Sequence, residues 1–221
     1  MYARMADMAH QIWNLLWPDK EICNYERAGM LLYVDIQQMW RSTNDPKYLV
    51  FVRDRTNAFV KADDNIPTYN KLEYNLDNVL SGLVLLFLWK QTGNIMYKKA
   101  THLLRDQLKM HLRTKEDGFW RKLIYPYQMW LDGMFMAEFF YAQYALLIKE
   151  PDHFDDIVLL FTMIKKRARE AKTGLLHHGY DESRQQAWAN LEIGRSPSFW
   201  GRAMGSYFMA LVVCLPNVVC F

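Results

Sequence analysis

The stretch EDGFWRKLIYPYQMWLDGMFMAEFFYAQY, residues 116–144, runs from a loop into a segment that is apolar at nearly every position. Its loop half carries a glycine, a proline, two adjacent basic residues and several aromatics. From Trp130 onward the apolar residues keep to no single face. That pattern predicts a helix over 130–148 buried on all sides rather than one lying on a surface. A single carboxylate, Asp132, stands in its first turn, between Trp130 and Gly133. Left unpaired among apolar groups it would cost several kcal/mol, so it is either well partnered or retained for chemistry.

Working outward, the same helix type alternates with a second one. Segments 25–41, 78–90 and 130–148 are apolar almost throughout. Segments 46–61, 95–112 and 152–170 carry one apolar face, such as Phe154, Ile157, Val158, Phe161 and Ile164 set against Lys165, Lys166 and Arg167. A first amphipathic helix is predicted over 5–16 and a last apolar one over 200–215, eight in all. The connectors inside the pairs look alike: STNDPKY at 42–48, KQTGNIMY at 90–97 and KEPDHF at 149–154. Their aromatic residues, Tyr48, Tyr97 and Phe154, recur at about fifty-residue intervals, the mark of a helical-hairpin repeat. If such hairpins close in a ring, the buried helices form an inner layer and the amphipathic ones an outer layer. The longer loops, 63–76, 113–129 and 171–199, each join an outer helix to the next inner one and so gather at one end. Asp77, Lys122, Trp130, Asp132, His178 and Arg202 lie in or beside those loops, where sites tend to form.

Composition narrows the class. The 221 residues suffice for one well-cored domain, read here as a single catalytic domain over 1–221. The net charge is only +3 and the basic residues are scattered, which argues against nucleic acid as a partner. Cys23, Cys214 and Cys220 lack the spacing of a zinc site or a disulfide framework, and no metal or cofactor is expected. The first residues, MYARMADMAHQIW, show no apolar leader core. The longest apolar run, Tyr207 to Phe221, contains Pro216 and falls short of the roughly 20 residues a membrane helix needs. The expectation is a soluble, cytoplasmic protein, or a periplasmic one if its native N-terminus is missing; its oligomeric state is not legible.

Five segments in order, LDNVLSG (76–82), FWRKLIYPYQMWLDGMFM (119–136), FYAQYA (140–145), GLLHHGYDES (174–183) and SPSFWGRAMG (196–205), are together similar to one family. They resemble the unsaturated rhamnogalacturonyl hydrolases of glycoside hydrolase family 105, over about residues 25 to 211. The unsaturated glucuronyl hydrolases of family 88 match less well around WLDG and FWGRA. The resemblance implies an all-α (α/α)6 barrel of six helical hairpins. It also implies removal of a 4,5-unsaturated uronic acid from the non-reducing end of lyase-generated rhamnogalacturonan oligosaccharides, as in pectin degradation. In that reaction a vinyl ether is protonated at C4, water adds at C5, and the hemiketal collapses. One carboxyl that donates a proton and then accepts one suffices, where ordinary glycosidases use two.

Asp132 matches the family's general acid/base, and its apolar neighbours disfavour the charged form; capping the helix 130–148 is the alternative for the same residue. Asp77 matches a second aspartate near the substrate, or caps the helix 78–90, or does both. Lys122, His178 and Arg202 match further positions of the family's pocket; Arg202 suits the planar uronate carboxylate, and His178 would orient Asp132 or bond a sugar hydroxyl. The resemblance puts Trp130 and Trp200 against sugar faces, where a buried Trp is otherwise core, and adds Tyr25.

Two departures stand out. Ser206 replaces a Trp usual in the family, which would open one wall of the pocket. The eight predicted helices are four fewer than a closed barrel requires, and the chain ends in the apolar ALVVCLPNVVCF, which reads as a C-terminally truncated or frame-shifted product. A non-catalytic helical-toroid carbohydrate-binding or remnant protein is therefore the rival from another class, and a family 88-like glucuronyl hydrolase is a rival in substrate only.

Overall fold

The computed structural model describes residues 37–61 and 66–218. The predicted helix 5–16, most of 25–41 and Tyr25 fall outside them. The described chain runs α1 (Gln37–Thr43), α2 (Pro46–Phe59), a 3-10 turn (Lys71–Glu73), α3 (Leu76–Leu80), α4 (Gly82–Thr92), α5 (Ile95–Lys109), β1 (Gln128–Trp130), α6 (Leu131–Ile148), α7 (His153–Ala168), β2 (Gly179–Asp181) and α8 (Gly201–Val218).

The connectors are built alike, as their sequences suggest. Each inner helix ends on a residue in the left-handed region: Asn44 (φ 52°), Gly93 (φ 67°) and Lys149 (φ 60°). In the first two, the threonine before it returns its hydroxyl to the carbonyl four residues back, Thr43 to Met39 and Thr92 to Leu88. The same hydroxyl then accepts the N–H two residues on, from Asp45 and Asn94. Those residues start the following helix by accepting from Lys47 and Met96. The recurring aromatics Tyr48, Tyr97 and Phe154 are all buried.

The chain divides into two compact units. The first holds α1, α2, α4 and the start of α5. Every residue of α4 from Gly82 to Leu88 is buried, as expected for an inner helix. Against it α2 turns only Tyr48, Val52 and Thr56 inward. Burying each such Leu or Val contributes roughly 1.5–3 kcal/mol. The Tyr97 hydroxyl donates to Asn57 Oδ1 at 2.7 Å and ties α5 to α2. The predicted helix 78–90 is in fact two, α3 and α4, parted at Ser81.

The second unit holds residues 70–79 and 105 onward. Here α6 is the buried helix, packed on both α7 and α8. The stripe Phe154, Ile157, Leu160, Phe161, Ile164 and Ala168 covers it from α7. Two predicted loops are not free: Gln128–Trp130 pairs antiparallel with Gly179–Asp181, Trp130 opposite Gly179. Strands of three residues are too short for a period-two pattern to announce them. Pro216 does not end the last helix; α8 runs to Val218 with the proline in its final turn, where a missing N–H costs one bond. Between α7 and α8 lies a groove of about 380 Å³ lined mainly by apolar side chains, among them Phe161, Leu176, Tyr207 and Cys214. Among the described residues no helix is long and apolar enough to cross a membrane, and no cluster of three or more metal-ligating side chains occurs.

Candidate active site

The loop before α6 folds back on itself. Arg121 N–H donates to Gln128 O at 2.7 Å, and Tyr125 N–H to Lys122 O at 3.0 Å, closing a tight turn at 122–125. This turn is pinned to α3: Leu76 N–H donates to Arg121 O and Leu123 N–H to Glu73 O. The β1–β2 ladder then brings in the second long loop, and Leu131 N–H donates to His178 O at 3.0 Å. The loop before α6 and the first residue of α6 are thus bound to two other stretches of chain, one around Leu76 and one around His178.

Asp77 lies in the first turn of α3 and does not cap it. The side chain of Asn75 does so, accepting the Asp77 N–H at 3.0 Å. The Asp77 carboxylate is instead gripped by two cations: Arg121 on Oδ1 and Lys122, at 2.7 Å, on Oδ2. Burial pushes its pKa up, but the Arg121 charge and the hydrogen bonds from Lys122 and Arg121 prevail and leave it below the ordinary carboxylate value.

Asp132 is half-buried in the first turn of α6, and no side-chain cap is made there; the N-cap position is Trp130. Its Oδ1 is shielded from solvent and has no hydrogen-bond partner. The helix N-terminus and the capping reading of this residue therefore part company: the carboxyl sits where the dipole favours it but is bound to no helix N–H. Burial lowers the His178 pKa, Arg202 and Arg121 lower it further, and Asp132 opposes them; the ring is neutral at neutral pH. Its Nδ1, too, is buried without a partner.

Aromatic rings link these groups. Tyr125 stacks on Trp130 (5.0 Å, 24°), His178 lies 5.4 Å from Trp130 and 4.9 Å from Trp200, and the Arg202 guanidinium rests 3.9 Å over the Trp200 ring. Trp130 is held in turn by its Nε1–H donating to Gln128 Oε1 at 3.1 Å. Trp200 is 39% exposed, with Arg202 over its ring, whereas the half-buried Trp130 has Tyr125, His178 and Arg121 against it. Ser206 is buried in α8.

The sequence-derived residues Asp77, Lys122, Trp130, Asp132, His178, Trp200 and Arg202 are all in one unit; contacts through Arg121 and the rings join all of them but Asp132, which acts on His178 electrostatically. Sequence reasoning missed Arg121, Tyr125 and Gln128, which hold the others. The adjacent pair Arg121–Lys122 was the one available signal, since two cations side by side in an otherwise apolar stretch need an anion nearby.

A glycoside hydrolase of family 105 from C. acetobutylicum is 43% identical, with a TM-score of 0.84 over 88% of this chain and 54% of its own. The unsaturated rhamnogalacturonyl hydrolase YesR of Bacillus subtilis is 20% identical over 200 residues, 88% of this chain and 54% of YesR. Protein Atu3128 of Agrobacterium fabrum is 41% identical over 81 residues, 35% of this chain and 34% of that protein. The chain thus spans a third to about half the length of these relatives. Solved neighbours of the six-hairpin glycosidase type include one from family 88 and an α-1,6-mannanase, which accounts for the paired inner and outer helices. The family described as Glycosyl Hydrolase Family 88 matches residues 3–218, nearly the whole chain, and the chain belongs to it.

Proposed function

We propose that this chain carries the catalytic cluster of a glycoside hydrolase acting on unsaturated uronic acids, with a 4,5-unsaturated galacturonyl residue of a rhamnogalacturonan oligosaccharide as its substrate. The observation that carries the reading is Asp132, a carboxyl with a buried oxygen bound to nothing, facing a neutral His178 in a cluster that otherwise holds three cations and one anion. A negatively charged sugar fits that surplus of positive charge. The 43% identity to a family 105 hydrolase supports the choice of reaction.

In this mechanism Asp132 gives its proton to C4 of the vinyl ether, and positive charge develops at C5 and the ring oxygen. A water molecule adds at C5 as the Asp132 carboxylate takes its proton back. The resulting hemiketal opens to a keto sugar, and the hemiacetal so formed at C1 releases the neighbouring sugar. His178, uncharged, orients Asp132 or the attacking water. Arg202, already anchored over Trp200, pairs with the uronate carboxylate, and the exposed Trp200 ring packs on the sugar.

The test is loss of the enol-ether absorbance near about 235 nm on an unsaturated rhamnogalacturonan disaccharide, because hydration destroys that chromophore. Wild type should show decay and Asp132→Asn none, with unchanged far-UV circular dichroism. A folded wild type that leaves the absorbance constant refutes the hydrolase reading and leaves a carbohydrate-binding one.

A further inference from the structure

We propose that Arg121 is a positioning residue for this reaction: its ion pair couples the Asp77 carboxylate to Trp130 and to the start of α6, fixing the cluster's second carboxylate in one orientation. The proposal rests on the hydration reading above.

Arg121 is tied at both ends. Its N–H donates to Gln128 O, its carbonyl accepts from Leu76 N–H one residue before Asp77, and its guanidinium pairs with Asp77 Oδ1. The guanidinium also lies 5.7 Å from the Trp130 ring. The Arg121 stem and Leu76 lie beside Gly133, next to Asp132: a Cβ at Gly133 would meet Arg121 Cδ at 3.5 Å and Leu76 Cδ1 at 3.4 Å, ordinary packing distances. A single side chain thus reaches α3 through Asp77 and, through Trp130, the end of β1 that caps α6.

Stability alone does not account for it. The Arg121 side chain is 5% exposed, yet its Nε and Nη1 are buried without hydrogen-bond partners. A guanidinium with two unmet N–H groups is costly, and apolar groups of the same volume commonly serve a core as well or better. What the apolar group could not supply is a positive charge fixed against Asp77. Lys122 takes the other Asp77 oxygen, so the carboxylate can neither rotate nor escape both cations. Asn75 holds the Asp77 N–H, and Gln107 from α5 holds the Asn75 carbonyl at 3.2 Å. The charged groups facing Asp77 are thus Arg121 and Lys122, both from the same turn. Remove Arg121, and burial pushes Asp77 toward its protonated form, able to donate a hydrogen bond where it now only accepts.

The test uses the whole chain with Arg121→Met and Arg121→Lys. The Asp77 carboxyl carbon is titrated by NMR and identified with Asp77→Asn, alongside pH profiles of turnover. In Arg121→Met, Asp77 should titrate at higher pH and the acid limb of kcat/KM should move up with it. The optimum kcat should fall about 10²-fold through misplacement, with KM changing less than about threefold. Arg121→Lys, which keeps the charge but not the fork, should fall between the two, and it carries the test if the methionine variant fails to fold. Turnover by the wild type with Asp77 unmoved in both variants overturns the role of Arg121. A wild type inactive at every pH, with Asp77 still shifted in Arg121→Met, instead overturns the reaction and leaves the coupling of Arg121 to Asp77 standing.

Discussion

Protonating one buried histidine should loosen the loop that carries the site. His111 lies under the 119–121 segment, its Nε2 2.8 Å from Trp120 O, with Tyr74 and Phe119 packed on its ring. The bond requires Nε2 to carry the hydrogen, and Nδ1 is buried without a partner. Burial lowers the pKa from 6.5 to about 4, the Trp120 hydrogen bond works against that, and the Arg113 and Arg121 charges add to it. The folded value is depressed, so the neutral ring's contribution is complete above pH 6.5. It is lost as pH falls from 6.5 toward about 4, because only the unfolded chain takes up the proton there. A separation of about 2.5 units, at about 1.4 kcal/mol per unit, makes the loss about 3 kcal/mol. Urea unfolding from about pH 7.5 to about 4.5 would compare wild type with His111→Gln, whose amide can still donate to Trp120 O but does not titrate. The glutamine variant should start less stable from poorer packing, and the two curves should converge or cross as pH falls. His177 and His178, also lowered by burial, contribute with the same sign in both proteins and cancel in the difference. Parallel curves between pH 6.5 and 4.5 would refute the assignment.

Three further outcomes follow from single residues. Gly194→Ala should cost about 2–4 kcal/mol, since φ is +73° and a Cβ would run into the Asp181 carbonyl and the Tyr180 ring; a melting temperature within a degree or two of wild type would contradict this. Glu138 is fully buried with one carboxyl oxygen unpartnered, and burial raises its pKa well above the usual value, so its stabilising contribution is present below the unfolded value and lost as pH rises. Glu138→Gln should therefore raise the melting temperature at pH 8 relative to wild type and lose that advantage near pH 4; the opposite trend would show the carboxylate to be ionised in place. Glu116 is held down to about 2 by Arg167 and Lys166, but those partners are well exposed. Solvent screening limits Glu116→Gln to a loss of about 1 kcal/mol or less, and salt should shrink it further in denaturant titrations.

Much of the cluster is legible before any coordinates are seen, and the reasons are local. The helix pairs declare themselves because burial on one face writes a 3.6-residue pattern into the chain and burial on all faces writes a continuous apolar run. Asp45-Pro46, Gly93-Asn94 and Glu150-Pro151 stop and restart helices by turn chemistry that acts within a few residues. Asp132 stands out because a carboxylate is rare at the head of an apolar helix. Legibility fails where partners are distant. Asp77 looks like a helix cap until Arg121 and Lys122, 44 and 45 positions on, are seen to claim both its oxygens, with Asn75 making the cap instead. Trp130 shows no sign in the sequence of the Tyr125 and His178 rings that lie against it.

What the sequence determined by itself is the alternation of buried and half-buried helices, the like-built turns between them and the set of polar residues left in the loops. All of these arise from interactions among near neighbours. What only the tertiary structure decided is which loop meets which. The three-residue ladder of Gln128–Trp130 with Gly179–Asp181 joins residues about fifty apart and brings His178 to the head of α6. No local pattern encodes that pairing, because segments so short have no periodicity of their own. Their pairing depends on the packing of α6 against α7 and α8, which brings distant loop ends together.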